Sequence, residues 1–346
     1  MINVAIASFG MSGKVFHAPI LARHPQFRLS KIVERSKDEV RHCYPQVVSV
    51  KSYEEIVSDP SIDLVIVNTP DFTHYEYAKQ ALEAGKHVIV EKPVTQTSEE
   101  CQALISLAKK RGKLLSVFQN RRWDGDFLTV KKIIEEKLLG RLVEFESNYM
   151  RYRNFIQENT WKESVALGKG VTYNLGSHMI DQAVTLFGMP QAVWADIDSL
   201  RSGSEIDDYY HLRLVYPQLK VTLKATYLAR EETPRYIVHG TEGSYIKHGL
   251  DPQEEQLKKG ENPFSEGWGK EPESDWGVLN TEINGLHYRG KVETTAGNYV
   301  AYYDSIYDAI LKNKALSVLP EESMTVLKII EAAFESTRTG KTISLK

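Results

Sequence analysis

Asn174, His178 and Asp181 are spaced i, i+4 and i+7 within the run "GKGVTYNLGSHMIDQ" (168–182). On a helix that spacing predicts one shared face, with Leu175, Met179, Ala183 and Leu186 on the opposite side. An imidazole flanked by a carboxamide and a carboxylate can take a proton from a hydroxyl. The same pattern also suits a polar helix face with a structural histidine. Asn-x-x-x-His-x-x-Asp offers at most two good metal ligands and no second cluster accompanies it, so no metal is expected. Lys92 is a further candidate. The apolar run 87–91 leads into Glu91-Lys92-Pro93, and the proline steers Lys92 away from helical geometry at a strand's carboxyl end. Ligands of open α/β sheets bind outside such ends. A lysine there either donates a hydrogen bond to a substrate oxygen or is a surface lysine in a βα loop.

Near the start, "VAIASFGMSGKVFHAP" (4–19) almost spells the dinucleotide-binding turn. The glycines of G-x-G-x-x-G make the tight turn, admit the pyrophosphate and let helix and strand pack closely. Here the three positions are Ser8, Gly10 and Gly13, with Phe9, Met11 and Ser12 between them. A helix over 13–23 would point its N-terminus at phosphates. The second strand ends in Val33-Glu34, and an acid roughly 20 residues beyond the turn is where a ribose hydroxyl is held. Glu34 inclines the reading towards NAD. Arg35, Ser36 and Lys37 follow at once and suit a 2′-phosphate, which leaves NADP open.

These residues need elements to position them. Val/Ile-rich runs at 2–7, 27–33, 46–50, 63–68, 87–91 and 114–119 alternate with helical stretches such as 73–84 and 98–111. That alternation predicts a parallel, doubly wound sheet, a Rossmann dinucleotide-binding domain over 1–121. The longer helix opens on a capping-box pattern, Thr97 to Glu100. From 122 to 346 the style changes to an α+β domain. A helix (124–137) precedes long strand candidates at 142–153, 190–200, 208–216 and 219–229, the last two joined by Pro217-Gln218. They predict a large, mostly antiparallel open sheet. The polar stretch 249–281 reads as an extended surface loop, and helices at 299–312 and 321–338 close the chain.

The bulk numbers narrow the function. The chain has 346 residues, 42% hydrophobic and 26% charged, with a net charge of −3. No basic field argues for nucleic acid, and no apolar run is long enough for a bilayer. No charged leader precedes the first apolar run. Cys43 and Cys101 are the two cysteines; they show no metal spacing, so reduced thiols in a cytoplasm are expected.

The glycine-rich turn, Glu91-Lys92-Pro93 and Gly176-x-His178-x-x-Asp181, in that order, resemble the Gfo/Idh/MocA oxidoreductases over essentially the whole chain. "NRRWDGDFLTVKK" (120–132) and "GSHMIDQAVTLFGMP" (176–190) are similar to the branch that contains NADP-dependent scyllo-inositol dehydrogenases. The resemblance implies a catalytic Lys92, often before a cis proline bond, and a proton-transferring His178. It implies that Asn68-Thr69-Pro70, with His74, and the Glu91-Lys92 pair run beside the nicotinamide of NAD or NADP. It also implies a homodimer or homotetramer built through the outer face of the second sheet. One position departs: the family's aspartate four residues before the histidine is Asn174 here. Asparagine can hold a hydroxyl but cannot supply charge, so Asp181 is expected to compensate in part.

The substrate side should come from the second domain: Arg122, Trp123, Asp124, Arg151, Tyr152, Arg153 and Trp161. Aromatic faces with planar polar groups suit a polyhydroxylated ring. The expected reaction interconverts a secondary alcohol of a cyclic polyol or sugar with its ketone. Two alternatives stand beside it: a glycosidase using bound NAD as a transient oxidant, and a dinucleotide-dependent regulator without turnover.

Overall fold

The structure, a computed structural model, describes residues 1–157, 163 and 168–345. They form two compact units. One comprises Met1–Asn120, Gln253–Trp268 and Asn298–Met324, the other Arg121–Pro252, Gly269–Gly297 and Thr325–Lys346.

In the first unit, strands β1 (Ile2–Ile6), β2 (Phe27–Val33), β3 (Val48–Val50), β4 (Leu64–Val67), β5 (His87–Val90) and β6 (Leu115–Val117) form one sheet in the order β3-β2-β1-β4-β5-β6. Every pairing in it is parallel. The strands carry unalternated aliphatic residues because both faces are covered: all four residues of β4 are buried. Each such side chain contributes roughly 1.5–3 kcal/mol by leaving water. The order reverses between β1 and β4, the crevice where such sheets bind dinucleotides.

The helices of this unit are α1 (Ala18–Leu21), α2 (Val40–Cys43), α3 (Glu54–Val57), α4 (His74–Glu83) and α5 (Ser98–Arg111). At the start of α5 the Thr97 hydroxyl accepts from Glu100 N, as the capping pattern predicts. The Glu100 carboxylate reaches one residue farther back than a regular box and accepts from Gln96 N at 3.1 Å. The helix expected over 13–23 opens as a π turn, Gly13–His17, before continuing as α1.

The second unit begins with α6 (Gly125–Glu135), β7 (Leu142–Met150) and a π turn, Thr172–Gly176, that runs into α7 (Ser177–Phe187). Its sheet adds β8 (Ala192–Asp198), β9 (Tyr209–Tyr216), β10 (Leu219–Thr226), β11 (Tyr236–Gly240), β12 (Gly243–Lys247), β13 (Gly277–Ile283), β14 (Leu286–Val292) and β15 (Ile343–Ser344). The order is β14-β13-β12-β11-β7-β10-β9-β8-β15. It is antiparallel except where β7 runs parallel to β10. Gln218 makes the β9–β10 reversal in a left-handed conformation, φ 56°. One face buries Tyr210, Leu212 and Leu214; the other carries Trp194, His211 and Arg213 at least partly exposed.

Two readings change. Four further strands, β11 to β14, join the sheet; β14 is exposed along most of its length and is held by its ladder with β13. The stretch 249–281 is not one surface loop. It holds α8 (Gln253–Lys258), and 253–268 belongs to the first unit, as does 298–324 with α9 (Val300–Lys312). The anchor is a carboxamide: Gln253 Oε1 accepts from Trp268 Nε1 at 3.0 Å and from Tyr299 N at 2.8 Å, fully buried. The last helix, α10 (Pro320–Thr339), passes from one set of residues to the other.

Candidate active site

In the first unit the turn after β1 is shaped for a close-approaching ligand. A Cβ on Gly13 would lie 2.3 Å from Ser8 O and 3.0 Å from Asn68 Nδ2, so no side chain fits there. Gly10 is not crowded from within; the nearest atom, Ser8 Oγ, would be 3.4 Å away. The Ser8 hydroxyl accepts from Gly10 N at 3.3 Å, a partner glycine could not give. Asn68, just past β4, donates to Ser8 O at 2.8 Å and Ser12 Oγ at 3.3 Å, so the amide holds the turn in place. Met11 is exposed, whereas Phe9 is buried against Tyr44 and Lys14. A tight glycine turn running into a helix N-terminus fits a dinucleotide pyrophosphate.

Glu34, placed by its spacing at the ribose, is held by donors of its own loop and of β3. Its carboxylate accepts from Glu39 N at 2.8 Å, Val40 N at 3.0 Å and Ser49 Oγ at 2.9 Å, and the residue is buried. Burial would raise its pKa, but those donors bring it below the usual carboxylate value. The loop spends the acid on its own backbone. Arg35, Ser36 and Lys37 are the exposed groups beside it.

The carboxyl ends of β4 and β5 are tied together by His74. Its Nδ1 lies 2.7 Å from Pro93 O and its Nε2 2.9 Å from Thr69 O. Burial lowers its pKa, against the two carbonyls, Glu91 and Asp71. Both His74 ring nitrogens thus face backbone carbonyls of the two loops. The Thr69 hydroxyl meets Thr73 Oγ1 at 2.6 Å, and Thr73 donates to Pro70 O. Lys92 sits at the carboxyl end of β5, and the Lys92–Pro93 peptide is cis.

In the second unit α7 carries the other candidates. His178 and Asp181 are buried, at 6% and 1% exposure, while Asn174 is exposed in the π turn. A π turn adds a residue to the helical turn, so Asn174 is not set on the regular face that i, i+4 spacing predicts. Asp181 does not stand as a loose charge for His178. Its two oxygens take Arg122 Nε at 2.8 Å and Nη2 at 2.7 Å. Gln182 extends the attachment: it donates to Arg121 O at 2.9 Å and accepts from Arg235 Nη2 at 3.1 Å and Tyr236 OH at 2.9 Å. These bonds hold α7 rigidly along its polar side.

Of the expected substrate residues, Arg122 and Asp124 are buried in ion pairs, Asp124 with Arg121 at 3.2 Å, and Trp123 is half-buried. Arg151 stacks on the Tyr149 ring at 4.7 Å and donates to its hydroxyl at 3.0 Å. Tyr152 is exposed, bonded to Arg230 at 2.8 Å, and Arg153 lies over Tyr227. Trp161 lies outside the described residues. Tyr149, Gln182 and Arg235 escaped the sequence reading. A buried arginine whose guanidinium sits over Tyr149 at 5.3 Å has no local pattern to announce it. Among the described residues no three His, Cys, Asp or Glu side chains gather for a metal ion, and no helix is long and apolar enough to cross a membrane.

Comparison with known proteins agrees with this architecture. Residues 2–119 match the NAD-binding Rossmann fold of the GFO_IDH_MocA oxidoreductase family, and residues 131–345 match its C-terminal alpha/beta domain. The chain is 41% identical over 345 residues to scyllo-inositol 2-dehydrogenase (NADP(+)) IolW of Bacillus subtilis, covering 100% of this chain and 96% of that one. A solved oxidoreductase from Bacteroides fragilis superposes with a TM-score of 0.93 at 52% identity, each chain covered in full. The solved oxidoreductase yvaA of Bacillus subtilis gives 0.97 at 41% identity, covering 100% and 98%. With both of its domains matched and a full-length relative, this chain belongs to the Gfo/Idh/MocA family of NAD(P)-dependent oxidoreductases.

Proposed function

We propose that the enzyme oxidises a secondary alcohol of a cyclic polyol or sugar to its ketone, and reverses that reaction, with NADP preferred over NAD. The observation that carries the reading is the pairing of chemistry with kinship. The chain keeps a lysine at the carboxyl end of β5 and a buried histidine on α7, and matches a scyllo-inositol 2-dehydrogenase (NADP(+)) over its full length.

The turn Ser8–Gly13 would hold the pyrophosphate, and Asn68, Thr69, Pro70 and Glu91 would line the path to the nicotinamide. When bound, the nicotinamide supplies the hydride acceptor for oxidation and, reduced, the donor for reduction. Arg35 and Ser36, exposed beside the inward-turned Glu34, favour a 2′-phosphate. Lys92 would hold the reacting oxygen and stabilise the negative charge that develops on it. His178 would take the hydroxyl proton during oxidation and return it during reduction. Asn174, exposed and uncharged, would hold a neighbouring hydroxyl and leave the basicity of His178 to other groups. Arg151, Tyr152 and Arg153 are the exposed or half-exposed candidates for the remaining hydroxyls. The sheet face carrying Trp194, His211 and Arg213 is the surface proposed for self-association, which sedimentation would test.

The test is a panel of inositols, other polyols and sugars, scyllo-inositol first, offered with NADP+ or NAD+ and followed by reduced-nicotinamide absorbance. Turnover with a cyclic polyol, faster with NADP+, is expected. Lys92→Ala should lose at least about a hundredfold in turnover while still binding NADP+, in line with removal of one transition-state donor. Cofactor binding without turnover on any member, or release of free sugar without net reduction, would overturn the reading.

A further inference from the structure

The first unit buries a hydrogen-bonded chain behind Glu91 whose other members the proposed reaction does not use. His17 closes the π turn and is fully buried. Its Nδ1 lies 2.6 Å from the Tyr303 hydroxyl and its Nε2 3.0 Å from Glu91 Oε1. The Phe118 ring packs against the same imidazole, centroids 4.5 Å apart. The other Glu91 oxygen, Oε2, accepts the backbone N–H of Lys92 at 3.2 Å. One carboxylate therefore links the helix after β1 to the lysine at the end of β5, and α9 supplies the far end of the chain through Tyr303.

The partners fix the proton positions. Glu91 accepts, so Nε2 carries the hydrogen, and Nδ1 is left to accept from Tyr303 O–H. Burial pushes the Tyr303 pKa well above its ordinary value, so that hydroxyl remains a donor. The charged or titratable groups that face Glu91 are His17 on the π turn, Lys92 beside it and His74 on α4, with Tyr303 behind His17. Burial would raise the Glu91 pKa. The hydrogen bond from His17 and the Lys92 charge oppose this, and the Glu91 pKa lies below the usual carboxylate value.

We infer that His17, held by Tyr303, is a positioning residue for Lys92, acting through Glu91, whose carboxylate it fixes against the Lys92 backbone N–H. This rests on the reading that Lys92 holds the reacting oxygen. Without a donor at position 17 the half-buried Glu91 carboxylate is no longer held in place, and Lys92 loses a negative charge fixed beside it that favours the ammonium form. Without Glu91 the backbone at Lys92 also loses an acceptor.

The test reads Lys92 itself, in the full-length protein without cofactor or substrate. Trace labelled acetic anhydride is applied across a pH series, and acetylation of the Lys92 peptide is quantified by mass spectrometry. Thermal melts at each pH verify the fold. The midpoint of labelling should move down by about one pH unit in His17→Leu and in Glu91→Gln. His17→Gln, whose amide can still donate to Glu91, should stay near wild type. Tyr303→Phe should shift in the same direction as His17→Leu, by less. Midpoints unchanged in both His17→Leu and Glu91→Gln overturn the inference; if His17→Leu does not fold, an unchanged midpoint in Glu91→Gln does so alone. Lys92→Ala assayed for polyol oxidation keeps the two claims apart. Full turnover there removes the reading of Lys92, whereas a hundredfold loss beside an unmoved His17→Leu midpoint removes the role of His17 only.

Discussion

Asp181 and Arg122 form a two-point ion pair, 2.7 and 2.8 Å, with both side chains at or below 7% exposure. The carboxylate one turn beyond His178 is thereby neutralised by an arginine and serves to fasten α7. Removing one partner strips the other of a two-point bond in the interior, whereas removing both takes out the whole pair. Asp181→Asn should cost about 3–5 kcal/mol in urea unfolding, and Arg122→Met with Asp181→Leu should recover most of it. A single mutant as stable as wild type would show that the pair carries no such weight.

The two glycines of the nucleotide turn should fail differently. Gly13→Ala drives a Cβ to 2.3 Å from a backbone oxygen, so it should lose about 1–3 kcal/mol of stability. Gly10→Ala meets nothing closer than 3.4 Å, so its melting temperature should hold. Its methyl would stand where the pyrophosphate approaches, and NADP+ affinity should drop about tenfold or more. Calorimetric titration beside thermal melts separates the two outcomes. A Gly10→Ala protein that binds normally would remove the pyrophosphate from that spot.

Cofactor choice should follow Arg35 and not Glu34. Arg35→Ala should weaken NADP+ by about tenfold and leave NAD+ alone, as expected for one charge-assisted bond to phosphate. Glu34→Ala should lower stability by about 1 kcal/mol or more, because Glu39 N, Val40 N and Ser49 lose their acceptor. The NADP/NAD ratio should not move. A ratio that rises in Glu34→Ala would place this acid at the ribose after all.

Asp207 gives a pH dependence with a definite sign. Its Oδ2 accepts from Thr172 N at 2.7 Å, at the head of the π turn that bears Asn174. Burial pushes its pKa up to about 6, with the Thr172 N–H opposing. A carboxyl raised in the folded state binds its proton more tightly there than in the unfolded chain. Stability from this group is therefore full below the unfolded value near 4 and is lost as pH rises through about 6. Asp207→Asn, which still accepts from Thr172, should gain on wild type by about 1–2 kcal/mol between pH 4 and pH 7.5, the half-buried position screening part of the charge. Parallel unfolding curves for the two proteins at those pH values would contradict it.

What the sequence determined by itself is whatever short-range chemistry repeats in a recognisable period. Unalternated runs such as Leu64–Val67 announced strands buried on both faces, and the Ser8-x-Gly10-x-x-Gly13 turn announced its own crowding. Family membership was legible for the same reason, since Glu91-Lys92-Pro93 and the Gly176-to-Asp181 run are local words in a fixed order. Tertiary structure decided where charges end their search for partners. Glu34 stands where a ribose-binding acid is expected, and the fold adds what the spacing could not show: its carboxylate accepts the N–H groups of Glu39 and Val40. Asp181 shares its helix with His178, yet it pairs with Arg122, 59 positions away in the chain. His17 reaches Glu91 and Tyr303 across 74 and 286 positions, so no window along the sequence could have shown them together. Local periodicity fixes which face of an element is apolar. Which buried polar group meets which is settled when the low-dielectric interior makes an unpaired one too costly to keep.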